Sequence, residues 1–189
     1  MTEHYKMHLQ IYRYIGLLRL RLPQFFEDCK VCDFGSLDVN GTNKGHFKDC
    51  TYIGIDIGPG PNVDHISLAH EFREYKDAYF DTVLSTDMLE HDKHWAKSIV
   101  RMYELLRPGG LMLLTCAGRH RGEHGTVGHS AESSPLTIQI PGWNSYYRNL
   151  EVSDIRGVLN LETLFSDYEI SEVYVHYWGA DLQFWGIKK

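Results

Sequence analysis

The chain has 189 residues, a formal net charge of −6 and 43% hydrophobic side chains, enough apolar material for one core of ordinary domain size. The acidic balance disfavours nucleic acid as a default partner, no run approaches the roughly 18 apolar residues of a membrane span, and Met1-Thr2-Glu3-His4-Tyr5-Lys6 lacks the apolar core of a signal segment. Four cysteines are too few for a disulfide framework, so the expectation is a single cytoplasmic domain over 1–189, with no membrane or nucleic-acid partner.

Residues 5–22 place Ile11, Tyr14, Ile15, Leu18 and Leu22 at helical spacing, and Pro23 ends that helix or opens a short second one at 24–26. Cys29-Lys30-Val31-Cys32 has the spacing of a redox or metal pair. Its second cysteine falls inside a strand, however, and no second such pair exists, so both read as packing residues. Val31-Cys32-Asp33-Phe34-Gly35 is a buried strand running into the loop Ser36-Leu37-Asp38-Val39-Asn40-Gly41. A second strand, Tyr52-Ile53-Gly54-Ile55-Asp56, ends on a carboxylate.

A strand, a glycine turn and an acid at the next strand's tip suit a nucleotide-like ligand. The turn lets the ligand approach the backbone, and the acid accepts from two ribose hydroxyls. The dinucleotide pattern G-x-G-x-x-G is absent, because Leu37 occupies the place of its second glycine. That argues against a pyrophosphate-bearing ligand.

Asp81 to Ser85 forms a third strand, and a helix near 92–107 carries Trp95, Ile99, Met102, Leu105 and Leu106 on one stripe. Pro108-Gly109-Gly110 is expected to stop that helix, and Leu111 to Cys116 reads as a central parallel strand. Residues 117–147 form a long connection rich in glycine, histidine and serine, a length that compact domains reserve for function. One or two short helices span 152–165. Tyr168 to Tyr177 and Asp181 to Lys189 alternate as two strands joined at Gly179, a terminal hairpin. The fold class is α/β, a doubly wound and mostly parallel sheet with a C-terminal antiparallel hairpin.

These strings resemble the class I S-adenosylmethionine-dependent methyltransferases, close to a small single-domain group with a D-x-G-S-L-D-x-N-G loop. Asp33-Phe34-Gly35 matches the acid-x-glycine start and Asp56 the ribose-binding acid. Tyr79 to Thr86 with Leu89-Glu90-His91 match the fourth-strand motif. Leu105-Leu106-Arg107-Pro108-Gly109-Gly110-Leu111 matches the turn after the following helix, and Tyr147-Arg148-Asn149-Leu150 resembles the segment that returns over the pocket. Two positions depart from the pattern. Leu37 and Val39 stand where the family has glycines, and Leu68, before Ala69-His70-Glu71-Phe72, stands where an acid often meets adenine.

The resemblance implies S-adenosyl-L-methionine as cofactor and methyl transfer; the acidic charge and the lack of an added recognition domain lead to the expectation of a small-molecule or sugar acceptor. The resemblance divides the chain into a helical cap (1–28), a cofactor-binding half (29–116) and an acceptor-side half (117–189). The implied cofactor residues are Asp33, Gly35, Ser36, Leu37, Gly41, Asp56, Ile57, Leu68, Ala69, His70, Ser85 and Thr86. Transfer asks for in-line approach, exclusion of water and, for some acceptors, a base. His91, His120 and His124 are the candidate bases. Arg119, Trp143, Tyr146, Tyr147 and Arg148 are the candidate acceptor contacts.

No metal is expected. A set of His120, His124 and His129 is the metal alternative, and it lacks a carboxylate at matching spacing. A non-catalytic binding module and an aminopropyl-type transferase are the other function classes. The latter calls for an acidic cluster beyond Asp87 and Glu90.

Overall fold

The computed structural model describes residues 9–174 and 179–189; Tyr5 to His8 of the expected first helix and 175–178 of the expected hairpin lie outside them. Seven strands form one sheet: β1 (Lys30–Phe34), β2 (Thr51–Asp56), β3 (His65–Ile66), β4 (Phe80–Thr86), β5 (Leu106–Ala117), β6 (Phe165–Tyr174) and β7 (Ala180–Lys188). Their order is β3-β2-β1-β4-β5-β7-β6. The first five run parallel to one another, whereas β7 runs antiparallel to both β5 and β6. This is the expected doubly wound sheet with its hairpin. The chain order reverses between β1 and β4, which opens a crevice at the carboxyl ends of those strands.

The helices α1 (Leu9–Arg21), α2 (Trp95–Leu105), α3 (Val152–Val158) and α4 (Leu161–Leu164) cover the two faces. Side-chain alternation sorts the core between them. Ile11, Ile15 and Leu18 of α1 pack with Val31, Leu84, Leu113 and Trp185 on one face. Ile99, Met102 and Leu105 of α2, with Ile155 and Leu161, pack on Phe34, Val83, Leu114 and Phe184 on the other. None of the helices is long and apolar enough to cross a membrane among the described residues.

One boundary differs from expectation. Helix α2 ends at Leu105, and Pro108-Gly109-Gly110 lies inside β5, where the register with β4 shifts between Phe80 and Thr82. The reason is steric. A Cβ at Gly110 would lie 2.8 Å from the Asp81 carbonyl oxygen, and Gly109 adopts φ +72°. Glycine therefore lets the strand start at once through a bulge, and Pro108 needs no ladder donor there.

Arg101 ties the connection before β4 to α2. Its buried guanidinium donates to the Phe72 and Tyr75 carbonyls at 2.7 and 3.1 Å and pairs with Asp77 and Glu104.

The cysteines do not pair as C-x-x-C. Cys32 is fully buried in the α2 face, while Cys29 lies with α1 and its Sγ sits 2.9 Å from that of Cys50. The two precede β1 and β2, whose register pairs Lys30 with Thr51, so they face each other across adjacent strands at a spacing a disulfide can bridge. Mild oxidation is predicted to cross-link Cys29 to Cys50 and leave Cys32 and Cys116 as thiols. Peptide mapping that found Cys32 in a cross-link, or no cross-link at all, would contradict this.

Asp33 sits in β1 beside Leu84 and is buried. The Tyr52 hydroxyl donates to its Oδ2 at 2.6 Å, and Oδ1 has no partner among the described residues. Burial lifts the carboxyl to about 7, opposed by the Tyr52 bond and reinforced by the Asp56 charge. A carboxyl in the unfolded chain titrates near 4. Its contribution is therefore fully present below about pH 4 and is lost as pH rises through about 7. Relative to wild type, Asp33→Asn should gain stability between pH 4 and 8, by up to about 4 kcal/mol. Urea titrations at both ends of that window test this; an unchanged difference would show that Asp33 is ionised throughout.

Candidate active site

The crevice at the carboxyl ends of β1, β2 and β4 is a cleft lined by the loop after β1, the segments 67–69, 86–88 and 91–92, and the connection after β5 at His124, Ser133 to Thr137 and Trp143. At its floor Asp56 ends β2. The Leu37 N–H donates to Oδ2 at 3.0 Å and the Ile57 N–H donates to Oδ1 at 2.8 Å. Burial raises its pKa, and these two bonds pull it back down. Each oxygen keeps a lone pair for a further donor, so the acid is oriented and still able to receive two hydroxyls.

Gly35 turns the chain at φ +80°, and a Cβ there would lie 2.5 Å from that of Met88. The turn is therefore built around Met88, which also lines the cleft. Leu37 and Gly41 line it too. Opposite, Ile57, Leu68 and Ala69 form an apolar wall that ends in a short 3-10 turn, Ala69–Glu71. The first N–H groups of such a turn have no acceptor inside it. Thr86, at the tip of β4, lines the cleft and accepts from Asn43 Nδ2 at 2.9 Å.

Four of the residues proposed for the cofactor do not line the cleft. Asp33 is engaged with Tyr52. Ser36 is buried and donates to the Asn62 carbonyl at 2.9 Å. Ser85 is buried, and its hydroxyl has no partner among the described residues. His70 packs its ring on that of His94, centroids 4.3 Å apart.

On the other side, His91, His124 and Trp143 line the cleft. The Tyr147 ring lies 5.7 Å from that of His91 and 5.1 Å from that of His124, and its hydroxyl donates to the Gly122 carbonyl. His91 is 5% exposed, and burial followed by the His124 charge pushes its pKa down to about 3. It stays neutral at physiological pH. His124 is lowered too, mainly by burial.

The remaining candidates stand elsewhere. His120 is exposed at φ +63°, and Arg119 is exposed and pairs with Glu151 and Glu172 at 2.9 and 3.5 Å. Arg148 pairs with Asp154 and lies over the Trp95 ring. Tyr146 is half-buried outside the cleft lining. His129 is exposed and pairs with Glu123, so His120, His124 and His129 do not gather.

The structure gives further residues a place at the site. Asp87, named in the sequence only when weighing an aminopropyl-type transferase, lines the cleft, as do Asp92 and Ser133 to Thr137, which were not singled out. Asp92 accepts from the His94 N–H and the Ser98 hydroxyl and so holds the start of α2. Asp181, opposite Ala117 in the sheet, pairs with Arg121 at 3.2 Å. Glu90 is buried, and its Oε1 accepts from the Ala117 N–H at 3.1 Å. Burial first, then the Asp181 charge, raises the pKa of Asp87, and burial, then the Asp87 and Asp181 charges, raises that of Glu90. Asp87 carries one recognisable signal: a non-glycine residue at φ +52° directly after a strand end marks strain that function often explains.

Comparison with known proteins places this geometry. The profile of the methyltransferase-domain family matches residues 5–167. Phosphoethanolamine N-methyltransferase 2 of Caenorhabditis elegans is 30% identical over 94 residues, 48% of this chain but only 20% of that protein. Among solved structures, the 1,6-didemethyltoxoflavin N1-methyltransferase of Burkholderia thailandensis, crystallised with S-adenosylhomocysteine, superposes with a TM-score of 0.63 at 15% identity. That match covers 94% of this chain and 77% of the other. Phosphoethanolamine N-methyltransferase 2 of Haemonchus contortus gives 0.61 at 17% identity, over 93% of this chain and 52% of that one. The chain thus spans about half of the Haemonchus protein and shares its fold. With most of its length inside the matching profile, the chain belongs to the methyltransferase-domain family.

Proposed function

We propose that this chain transfers a methyl group from S-adenosyl-L-methionine to a small molecule, a metabolite or a sugar, in the cytoplasm. The observation that carries the reading is Asp56, held at the tip of β2 by two backbone donors and facing the cleft with acceptor capacity to spare.

The residues present fit the cofactor. Asp56 would take the ribose hydroxyls, Leu68 and Ala69 the adenine ring, and the turn at Gly35 and Gly41 the amino-acid end. When bound, the cofactor supplies a methyl already activated by its sulfonium. What the chain must add is placement and a dry site. Trp143 and residues 133–137 also line the cleft, with Leu136 set against Gly58 just beyond β2. Asp87 and the neutral His91 and His124 are proton-accepting groups in the same lining. The named relatives methylate small compounds, which agrees with an acidic chain whose cleft is built from its own loops.

Calorimetry with S-adenosylhomocysteine tests the cofactor. Asp56→Ala should lose about 1.5–3 kcal/mol of binding, the scale of hydrogen bonds to a charged group. Unchanged affinity would remove the reading, and selective binding of a nicotinamide dinucleotide would move the chain to the oxidoreductases. At the adenine end, Leu68→Asp should keep or raise the preference for adenosyl over inosyl ligands. A folded variant that loses adenosyl binding would make Leu68 a packing residue alone.

A further inference from the structure

The trio Glu90, His91 and His124 is not accounted for by cofactor binding. Each offers one ligand atom, and the three atoms lie within 4.8 Å of one another. Glu90 and His91 come from the 3-10 turn Leu89–His91 after β4, and His124 comes from the long connection after β5. We propose that these three side chains bind one divalent transition-metal ion at the acceptor end of the cleft.

Four observations carry the assignment. First, Glu90 is 1% exposed, and while Oε1 is fixed by the Ala117 N–H, Oε2 has no partner among the described residues. A buried carboxylate oxygen left so costs several kcal/mol unless a proton or a cation meets it. Second, His91 is buried, and its Nδ1 likewise has no partner among the described residues.

Third, His124 Nδ1 lies 3.0 Å from the Gly122 carbonyl oxygen. A carbonyl only accepts, so Nδ1 carries the proton and Nε2 presents a lone pair. A backbone carbonyl on the far nitrogen is the usual orienting partner of a metal-bound histidine. Fourth, the packing admits only glycine where the connection passes His91. A Cβ at Gly125 would lie 2.6 Å from His91 Cε1, and that residue has φ +64°. The loop is thus fitted onto the ring and brings His124 to it.

Two neutral imidazoles and one carboxylate form a nitrogen-rich donor set that suits zinc, cobalt or manganese. Magnesium and calcium prefer all-oxygen sites.

Bonds of about 2.1 Å place tetrahedral donors about 3.4 Å apart, so the trio closes by about 1 Å on binding. Three protein donors leave a tetrahedral ion one position short. Because His91 and His124 both line the cleft, that position opens toward the acceptor. An oxygen-bearing acceptor would then be held there by coordination. The site stands without the cofactor reading, since none of its ligands is among the residues assigned to the adenosyl group.

The test uses untagged protein stripped with chelator and then titrated with Zn2+ by calorimetry and with Co2+ by visible absorption. One ion per chain is expected, with a Co2+ band of low coordination number, and no uptake of Mg2+ or Ca2+ at the same concentration. His124→Ala and Glu90→Gln should each weaken Zn2+ by at least about 100-fold. Glu90→Gln preserves the Ala117 bond and tests the case in which a histidine variant fails to fold. His120→Ala and His129→Ala should leave binding unchanged.

Absence of binding to the wild type, or binding that survives loss of Glu90 and His124, overturns the proposal. Binding lost with His129 instead would place the ion on the surface and overturn it equally. Asp56→Ala should keep the metal and lose S-adenosylhomocysteine, so the two readings fail separately.

Discussion

The carboxylate of Asp56 holds the ligand end of the sheet together. The strands β1 and β2 end side by side in parallel, and just beyond β1 the Gly35 and Ser36 N–H groups still donate to the Ile55 carbonyl. Two backbone donors, Leu37 N–H and Ile57 N–H, converge on that one side chain. Bonds to a charged acceptor are stronger than neutral ones, and here they oppose the burial that raises the pKa of the acid. The loop after β1 therefore takes its position from the tip of β2. The floor of the cleft is set before any ligand arrives.

That dependence explains how the loop does without the family's later glycines. Leu37 keeps its N–H on Asp56, and its side chain is accommodated by a glycine elsewhere: a Cβ at Gly60 would meet Leu37 Cδ1 at 2.2 Å. The segment 60–62 is bound to the loop a second and third time, through the Ser36 hydroxyl on the Asn62 carbonyl and the Asp38 N–H on the Pro61 carbonyl. The freedom that the family places inside the first loop is supplied here by its neighbour. A substitution at Gly60 should thus be felt at Leu37 and, through it, at Asp56.

Local pattern carried the strands and their order of appearance, because the apolar runs of β1, β4 and β5 and the stripe of α2 are signals of period two and 3.6. Asp56, Gly35, Leu37, Gly41, Ile57, Leu68, Ala69 and Thr86 were named by the resemblance to the methyltransferase motifs rather than by periodicity, and all eight line the cleft. Pro108-Gly109-Gly110 misled as a helix stop because the bulge that uses it depends on the Asp81 carbonyl of the adjacent strand. Side-chain direction was not legible either. Asp33 and Ser85 lie on strands that reach the cleft, but their side chains point into the packed faces. The acidic cluster needed the fold itself, since Asp181 reaches Arg121 and the end of β5 only through the antiparallel return of β7.

The two walls of the cleft are held by different physics, and this separates what each can do. The cofactor wall rests on a parallel sheet with apolar layers on both faces, so its geometry is set by the core. The connection 118–147 is fastened mostly by single polar ties: Tyr147 on Gly122, Asn149 on the Arg121 carbonyl, Val127 on Asn144, and the ion pair of Arg121 with Asp181. Each of these hydrogen bonds is worth about 1 kcal/mol net, because water competes for it, whereas the Arg121–Asp181 pair is buried and holds its end of the segment more firmly. The segment therefore belongs to the less stable part of the molecule, with its firm points at Gly125 against His91 and at Arg121 against β7. Between those points, residues 133–137 meet the cleft with few apolar anchors and can change in sequence without cost to the sheet. Selection for a different acceptor would act there first, leaving the binding of the shared cofactor intact.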